Sequence, residues 1–206
     1  MKRNVLLLLG TLCMVYLCWP EAEINHWEIK NSQEKYSRIV IFGDSLTTGY
    51  NIGAEYSYPK YLEKSLGQKV EVHGFNGMTS EGGLKVLPQI LKGKPALWIV
   101  TLGGNDILKS KKIDQTEANM RSVFKQLQSL GHTVVWTEVL PILGGSNRHE
   151  MHLRVCQEEG VLLVPDILDD ILTDPKLQVD AIHPNKLGCE LIAERVQKLL
   201  SEKLKL

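Results

Sequence analysis

Five short apolar runs, each followed by an amphipathic segment, constrain this chain more than any other feature. Ile39 to Phe42, Val70 to Phe75, Leu97 to Leu102, Thr133 to Val139 and Val161 to Val164 are rich in Val and Ile and nearly continuous in apolar character. Strands buried on both faces read this way. Between them lie helical candidates at Pro59 to Leu66, Ser80 to Leu91, Gln115 to Leu130 and Arg148 to Glu158. A last helix is predicted from Lys186 to about Lys203, where Leu187, Leu191, Ile192, Val196, Leu199 and Leu200 recur at three- and four-residue spacing. The alternation predicts an α/β fold: a flavodoxin-like three-layer α/β/α sandwich with a five-stranded parallel sheet in order 2-1-3-4-5. Ligands of such sheets bind beyond the carboxyl ends of the strands, where strand order reverses. The loops after strands one, two and three should therefore converge.

Those loops are unusually polar. "GDSLTTG" follows the first run, "NGMTSEGG" the second and "GGNDIL" the third, and "DAIHPN" precedes the final helix. Taken singly, each has a plain structural explanation. Asp44 and Ser45 could cap a helix, Gly77 could be a turn glycine, Ser80 could cap the helix after it, and Asn185 could cap the last one. Together they supply complementary chemistry. A serine hydroxyl is a weak nucleophile until a base takes its proton, and His183 is the natural base for Ser45. Asp180, three residues before it, can orient the imidazole and stabilise its charged form. The backbone N–H groups of Ser45 and Gly77 and the side-chain amide of Asn105 are candidate oxyanion donors, each typically worth about 2.7 to 4 kcal/mol in the barrier.

"GDSL", the glycine of "NGMTS", "GGND" and "DAIHP" together resemble the four blocks of the SGNH, or GDSL, hydrolase family. "GDSLTTGY", Tyr58-Pro59, "LGGND" and "DAIHPN" are similar to its bacterial periplasmic thioesterase and lysophospholipase (arylesterase) branch. The resemblance runs from about Arg38 to the C-terminus, so residues 38–206 are expected to be the hydrolase domain. It implies Ser45 as nucleophile, Asp180 and His183 as acid and base, and Gly77 and Asn105 as oxyanion donors. It further implies a flap from Asn105 to Lys111 and an acyl chain bounded by Leu46, Ile107, Leu108 and Ile182. The implied substrates are small-molecule esters, thioesters or lysolipids, with neither cofactor nor metal, and a monomer is expected. Met78 and the loop "LPILGGSNRHEM", with Gly144 to Ser146, depart from the family pattern and bear on the shape of the acyl pocket.

The N-terminus has a different character. Lys2 and Arg3 precede an apolar run from Val5 to Trp19, in the layout of an export signal. At about 15 residues the run would span roughly 22 Å as a helix, short of the ~30 Å hydrocarbon core. The cleavage pattern around Ala22 is poor, with Pro20 two positions before it, so residues 1–20 are read as an export signal or a short membrane anchor and 21–37 as a linker. Cys13 and Cys18 follow leucines, which argues against lipid modification. An exported, periplasmic or extracellular protein is expected. Lys plus Arg and Asp plus Glu both number 24, so no basic stripe suggests a nucleic-acid partner.

Cys156 and Cys189 read as two buried small hydrophobes, and Trp98 as core. His149 and His152 read as a solvated helix face, His73 as a satisfied strand residue, and Trp19 and Trp27 as interface residues beside a membrane-associated N-terminus. Two competing functions remain at this level. Asp44, Asn105, Asp106, Asp180 and His183 could hold a dinuclear metal for phosphoester hydrolysis. Alternatively the crevice could bind lipid or glycan without turnover.

Overall fold

A computed structural model describes residues 24–140 and 145–206. The expected export signal or anchor, Trp19, Cys13, Cys18 and Gly144 lie outside the described residues. Strands β1 (Ile39–Gly43), β2 (Val70–Gly74), β3 (Leu97–Thr101), β4 (Thr133–Thr137) and β5 (Leu162–Val164) form one parallel sheet in order β2-β1-β3-β4-β5. This is the order predicted from the apolar runs.

Strand alternation splits the core in two. Ile39, Ile41, Leu97, Ile99, Val135 and Leu162 point to one face, where α2 (Tyr58–Leu66) and α7 (Lys186–Leu204) cover them. Val40, Phe42, Trp98, Val100, Val134, Trp136 and Leu163 point to the other. There α3 (Ser80–Ile90), α5 (Ile113–Ser129) and α6 (Ser146–Glu159) pack over them. Because the period is two, a one-residue slip would exchange the two cores entirely. Cys189 belongs to the first cluster and Cys156 to the second, and both are free and buried.

The structure departs from the sequence reading at both sheet edges. Strand β2 is not buried on both faces: only Val70 is buried, and Val72 is 37% exposed. His73 is held by Glu71 at 2.7 Å. At the opposite edge β5 is wholly buried, because the segment expected as a linker lies against it. The Asn25 amide donates to Leu163 O and accepts from Leu163 N, both at 2.8 Å, in place of a further strand. Trp27 is therefore not an interface residue; its Nε1 donates to Val161 O at 2.8 Å. Tyr36, also from this segment, joins the core.

His149 and His152 do not form a solvated face either. Buried Glu138 draws them in: His149 Nδ1 lies 2.9 Å from Glu138 Oε1, and His152 is 3% exposed. Burial holds the His152 imidazole below its ordinary pKa, whereas the hydrogen bond to Glu138 holds that of His149 above it.

Asn25→Ala should leave the backbone of Leu163 at the β5 edge without its partners. A loss of about 1–3 kcal/mol is expected in urea unfolding of the full chain. An unchanged midpoint would show that the edge does not need this side chain.

Candidate active site

Pairing of β1 with both neighbours sets Gly43 level with Gly74 and Thr101. The next residues of all three strands therefore leave the sheet at one height. After β1 the chain turns at Asp44 into the single-turn helix α1 (Ser45–Thr48), which ends at left-handed Gly49. Asp44, not Ser45, is the cap: its Oδ1 accepts from Leu46 N at 3.0 Å. Ser45 is thus released at the first helical position, where its Oγ faces the cleft. Beneath the turn, the buried Tyr58 hydroxyl meets Thr101 Oγ1 at 2.7 Å, and Thr137 Oγ1 donates to the same atom at 2.8 Å.

The loop after β2 is fastened to α1. Phe75 N donates to Gly43 O at 3.0 Å, and Thr48 Oγ1 donates to Asn76 Oδ1 at 2.7 Å. Gly77 has φ 72°, and a β-carbon there would meet nothing nearer than Lys109 Nζ at 4.0 Å. Backbone conformation, rather than space, is what requires glycine. Met78 turns into the core at 8% exposure, away from the cleft. Thr79 caps α3, accepting from Gly82 N, which frees Ser80 for a different partner.

That partner is Asp106. After β3, Gly103 (φ 121°) starts the short helix α4 (Gly104–Leu108), which carries Asn105 and Asp106. Asp106 accepts from Ser80 N at 2.8 Å, Ser80 Oγ at 2.6 Å and Thr116 Oγ1 at 3.2 Å. One buried carboxylate thereby ties the Asn105 helix to the start of α3. Asn105 Nδ2 donates to Asp44 Oδ2 at 2.9 Å, so the amide is oriented from the β1 turn.

The final loop delivers Asp180 and His183. Val179 N donates to His183 O at 2.9 Å and Asn185 N to Leu177 O at 2.8 Å, closing a tight turn around Asp180–His183. Asn185 caps α7, accepting from Leu187 N and Gly188 N. Both Asp180 oxygens lie 2.9 Å from His183 Nδ1, and Oδ1 also accepts from Ile182 N and His183 N. Burial opposes ionisation of Asp180, yet the Ile182 N–H and the His183 ring together hold its carboxyl below the usual range. An ionised Asp180 accepts the Nδ1 proton, which leaves Nε2 as the basic nitrogen. Nε2 lies 3.0 Å from Ser45 Oγ. Tyr50 lies over the same imidazole, with ring centroids 4.7 Å apart.

Ser45, Asn105 and His183 open onto a cleft of about 230 Å³, which is also lined by Leu46, Ile107, Leu108 and Ile182. Gly77 does not line it; its loop is joined to the end of α4 by Lys109 Nζ, which donates to Gly77 O at 2.8 Å. Sequence reasoning missed Val139, Leu140, Leu168 and Leu172, which complete the apolar wall. They come from the β4 and β5 loops, whose composition does not set them apart from core. The five side chains considered as a metal set do not converge: the Asp106 carboxylate is turned to Ser80 and Thr116, and Asp44 to Leu46 and Asn105.

Asp44 itself is strained electrostatically. Burial pushes its carboxyl up from 3.8 to about 6, against the Leu46 N–H, the Asn105 amide and the charge of His183. The native state thus takes up a proton more readily than the unfolded chain, and stability falls as pH rises between those values.

Along most of its length the chain is similar to known proteins. The family model for the GDSL-like lipase/acylhydrolase family matches residues 41–191. The Escherichia coli K12 protein thioesterase 1/protease 1/lysophospholipase L1 is 30% identical over 171 residues, covering 79% of this chain and 82% of that protein. A Vibrio mimicus arylesterase is 29% identical over 179 residues, covering 81% and 90%. The crystal structure of TesA superposes with a TM-score of 0.74 at 26% identity, covering 80% of this chain and 98% of that one.

Asp44→Asn, which cannot ionise, is expected to be more stable than wild type near pH 7 by about 1–3 kcal/mol. The gain should vanish toward about pH 4, while turnover falls because the Asn105 amide loses its charged acceptor. Urea unfolding at both pH values checks this, and equal stability near pH 7 would contradict it.

Proposed function

Because the chain belongs to the GDSL-like lipase/acylhydrolase family, and is a hydrolase acting on ester bonds, we propose that it is an exported serine esterase. In this reading it cleaves carboxylic ester or thioester bonds, including those of lysolipids, through an acyl-Ser45 intermediate. One observation carries the proposal: an unbroken hydrogen-bonded line from Asp180 through His183 to Ser45, ending beside Asn105 at an apolar cleft.

The proposed steps follow from this geometry. His183 Nε2 takes the Ser45 proton as Oγ attacks the carbonyl carbon, and Asp180 stabilises the imidazolium that forms. Negative charge develops on the carbonyl oxygen, where Ser45 N–H, Gly77 N–H and the free hydrogen of the Asn105 amide would receive it. His183 then protonates the departing alcohol or thiol. Water, activated by the same imidazole, releases the acid from Ser45. The apolar walls around Leu46, Ile107, Leu108 and Ile182 would hold the acyl chain, with the segment Asn105 to Lys111 as the side of the cleft expected to act as a flap. Export rests on the N-terminal sequence layout; among the described residues no helix is long and apolar enough to cross a membrane.

A fluorophosphonate probe should form one adduct, on Ser45, located by peptide mass spectrometry. Labelling at another residue, or wild-type turnover in Ser45→Ala, would overturn the assignment. Asp180→Asn should lower kcat by about 10²- to 10⁴-fold on a p-nitrophenyl ester while the circular dichroism spectrum stays unchanged. Retained turnover in that variant would remove Asp180 from the mechanism.

A further inference from the structure

The His183 imidazole is held on three sides. Asp180 lies at Nδ1 and Ser45 at Nε2. The third partner, Tyr50, covers the flat of the ring, with centroids 4.7 Å apart and planes inclined by 40°. Tyr50 is 40% exposed and does not line the acyl cleft. Core packing does not account for a large ring held so far in water, and contact with an acyl chain does not either.

The local backbone aims that ring. Helix α1 is a single turn, so Ser45 at its start and Tyr50 just past its end are joined by one bond, from Tyr50 N to Ser45 O at 3.3 Å. Beyond α1 the chain reverses at once: Ile52 N and Gly53 N both donate to Gly49 O, at 3.1 and 3.0 Å. Gly49 has φ 71°, and a β-carbon there would stand 2.6 Å from Gly53 O, a clash that only glycine avoids. Asn51 is left-handed as well, at φ 63°, a conformation that asparagine tolerates better than most residues. A turn this constrained fixes Tyr50 relative to Ser45, and the closed turn before α7 fixes His183 opposite it. The space between the two turns, lined also by Leu46, Ile52, Pro184 and Cys189, is too narrow for a water molecule.

The face of an aromatic ring carries partial negative charge and attracts a cation. Neutral imidazole gains little from it, whereas imidazolium gains more. In the proposed mechanism His183 is charged while it holds the Ser45 proton, and again while it holds the proton of the attacking water. An interaction that arrives with the charge lowers the barrier rather than tightening the resting state. The same cover keeps the ring in line once Ser45 is acylated and no longer donates to Nε2.

We propose that Tyr50 is a positioning residue that acts through His183: its ring stabilises the imidazolium and keeps Nε2 aimed at the reacting oxygen. The inference rests on the acyl-Ser45 reading and adds a fourth side chain to it. The test uses the full chain carrying Tyr50→Leu, which keeps the cover but not the aromatic face, and Tyr50→Phe, which restores that face. Each is assayed on a soluble p-nitrophenyl ester. Tyr50→Leu should lose about five- to tenfold in kcat, with KM within about twofold of wild type. The loss falls in kcat whichever half of the reaction limits, since both halves charge His183. Tyr50→Phe should recover most of it. On a His183→Ala background, Tyr50→Leu should change the residual turnover by less than about twofold, because its partner is gone.

Wild-type kcat in Tyr50→Leu would overturn the proposal. So would a loss in Tyr50→Phe as large as that in Tyr50→Leu, which would assign the effect to the hydroxyl. A raised KM with kcat kept would overturn it too, by making Tyr50 a substrate contact. An equal loss with and without His183 would do the same, as the exchange would then act by loosening the fold. Failure of the esterase reading shows separately, as turnover that survives Ser45→Ala.

Discussion

The in-register pairing of β1 with β2 on one side and β3 on the other is the constraint on which the site depends. It brings Gly43, Gly74 and Thr101 to one height, so three loops with no sequence relation to one another leave the sheet together. Parallel strands make this automatic, because every crossover returns the chain to the same starting edge. Ser45, Asn105 and their supports then need only short reaches. Asp44 to Asn105 and Thr48 to Asn76 are bonds between adjacent loops, and Ser80 to Asp106 joins the two outer ones. Asp180 and His183 alone come from far away in sequence, and a closed turn before α7 holds them in place.

How well the sequence predicted each part depended on the range of the interaction. Strand order followed from five apolar runs, of which β1, β3, β4 and β5 owe their local record to burial on both faces. The helices α1 and α4 left none: four or five residues are too few for a 3.6-residue period to show. The partners of Ser45 were legible although distant in sequence, because a serine, a histidine and an aspartate in polar loops are chemically distinctive. Asp106 was visible only as part of a motif, and nothing nearby indicated that Ser80, 26 residues earlier, would satisfy it. The same applies to Asn25, whose amide completes the β5 edge across 138 residues. Polar residues in a stretch read as a linker gave no sign of burial. His149 and His152 misled for a related reason: the helix pattern was amphipathic enough for a solvated face, but the buried Glu138 that draws them inward lies on another element.

Several features of the site cost stability. A buried carboxyl at Asp44, a left-handed Gly77 and exposed apolar side chains around the cleft are each unfavourable for folding alone. They share one end of the sheet, the end that carries Ser45. Local departures of this kind mark where a fold serves chemistry rather than stability. Asp44 unites the two demands, as it caps the helix that presents Ser45 and orients the amide of Asn105.

If Ser45 and His183 act as one proton-transfer unit, removing either should abolish the same step. The direct measurement is kcat/KM on a soluble ester for Ser45→Ala, His183→Ala and the double variant, with folding checked for each. The account predicts three values that agree within about threefold, because the second loss has nothing left to remove. A double variant whose loss equals the product of the two single losses would contradict it, since the two side chains would then contribute independently.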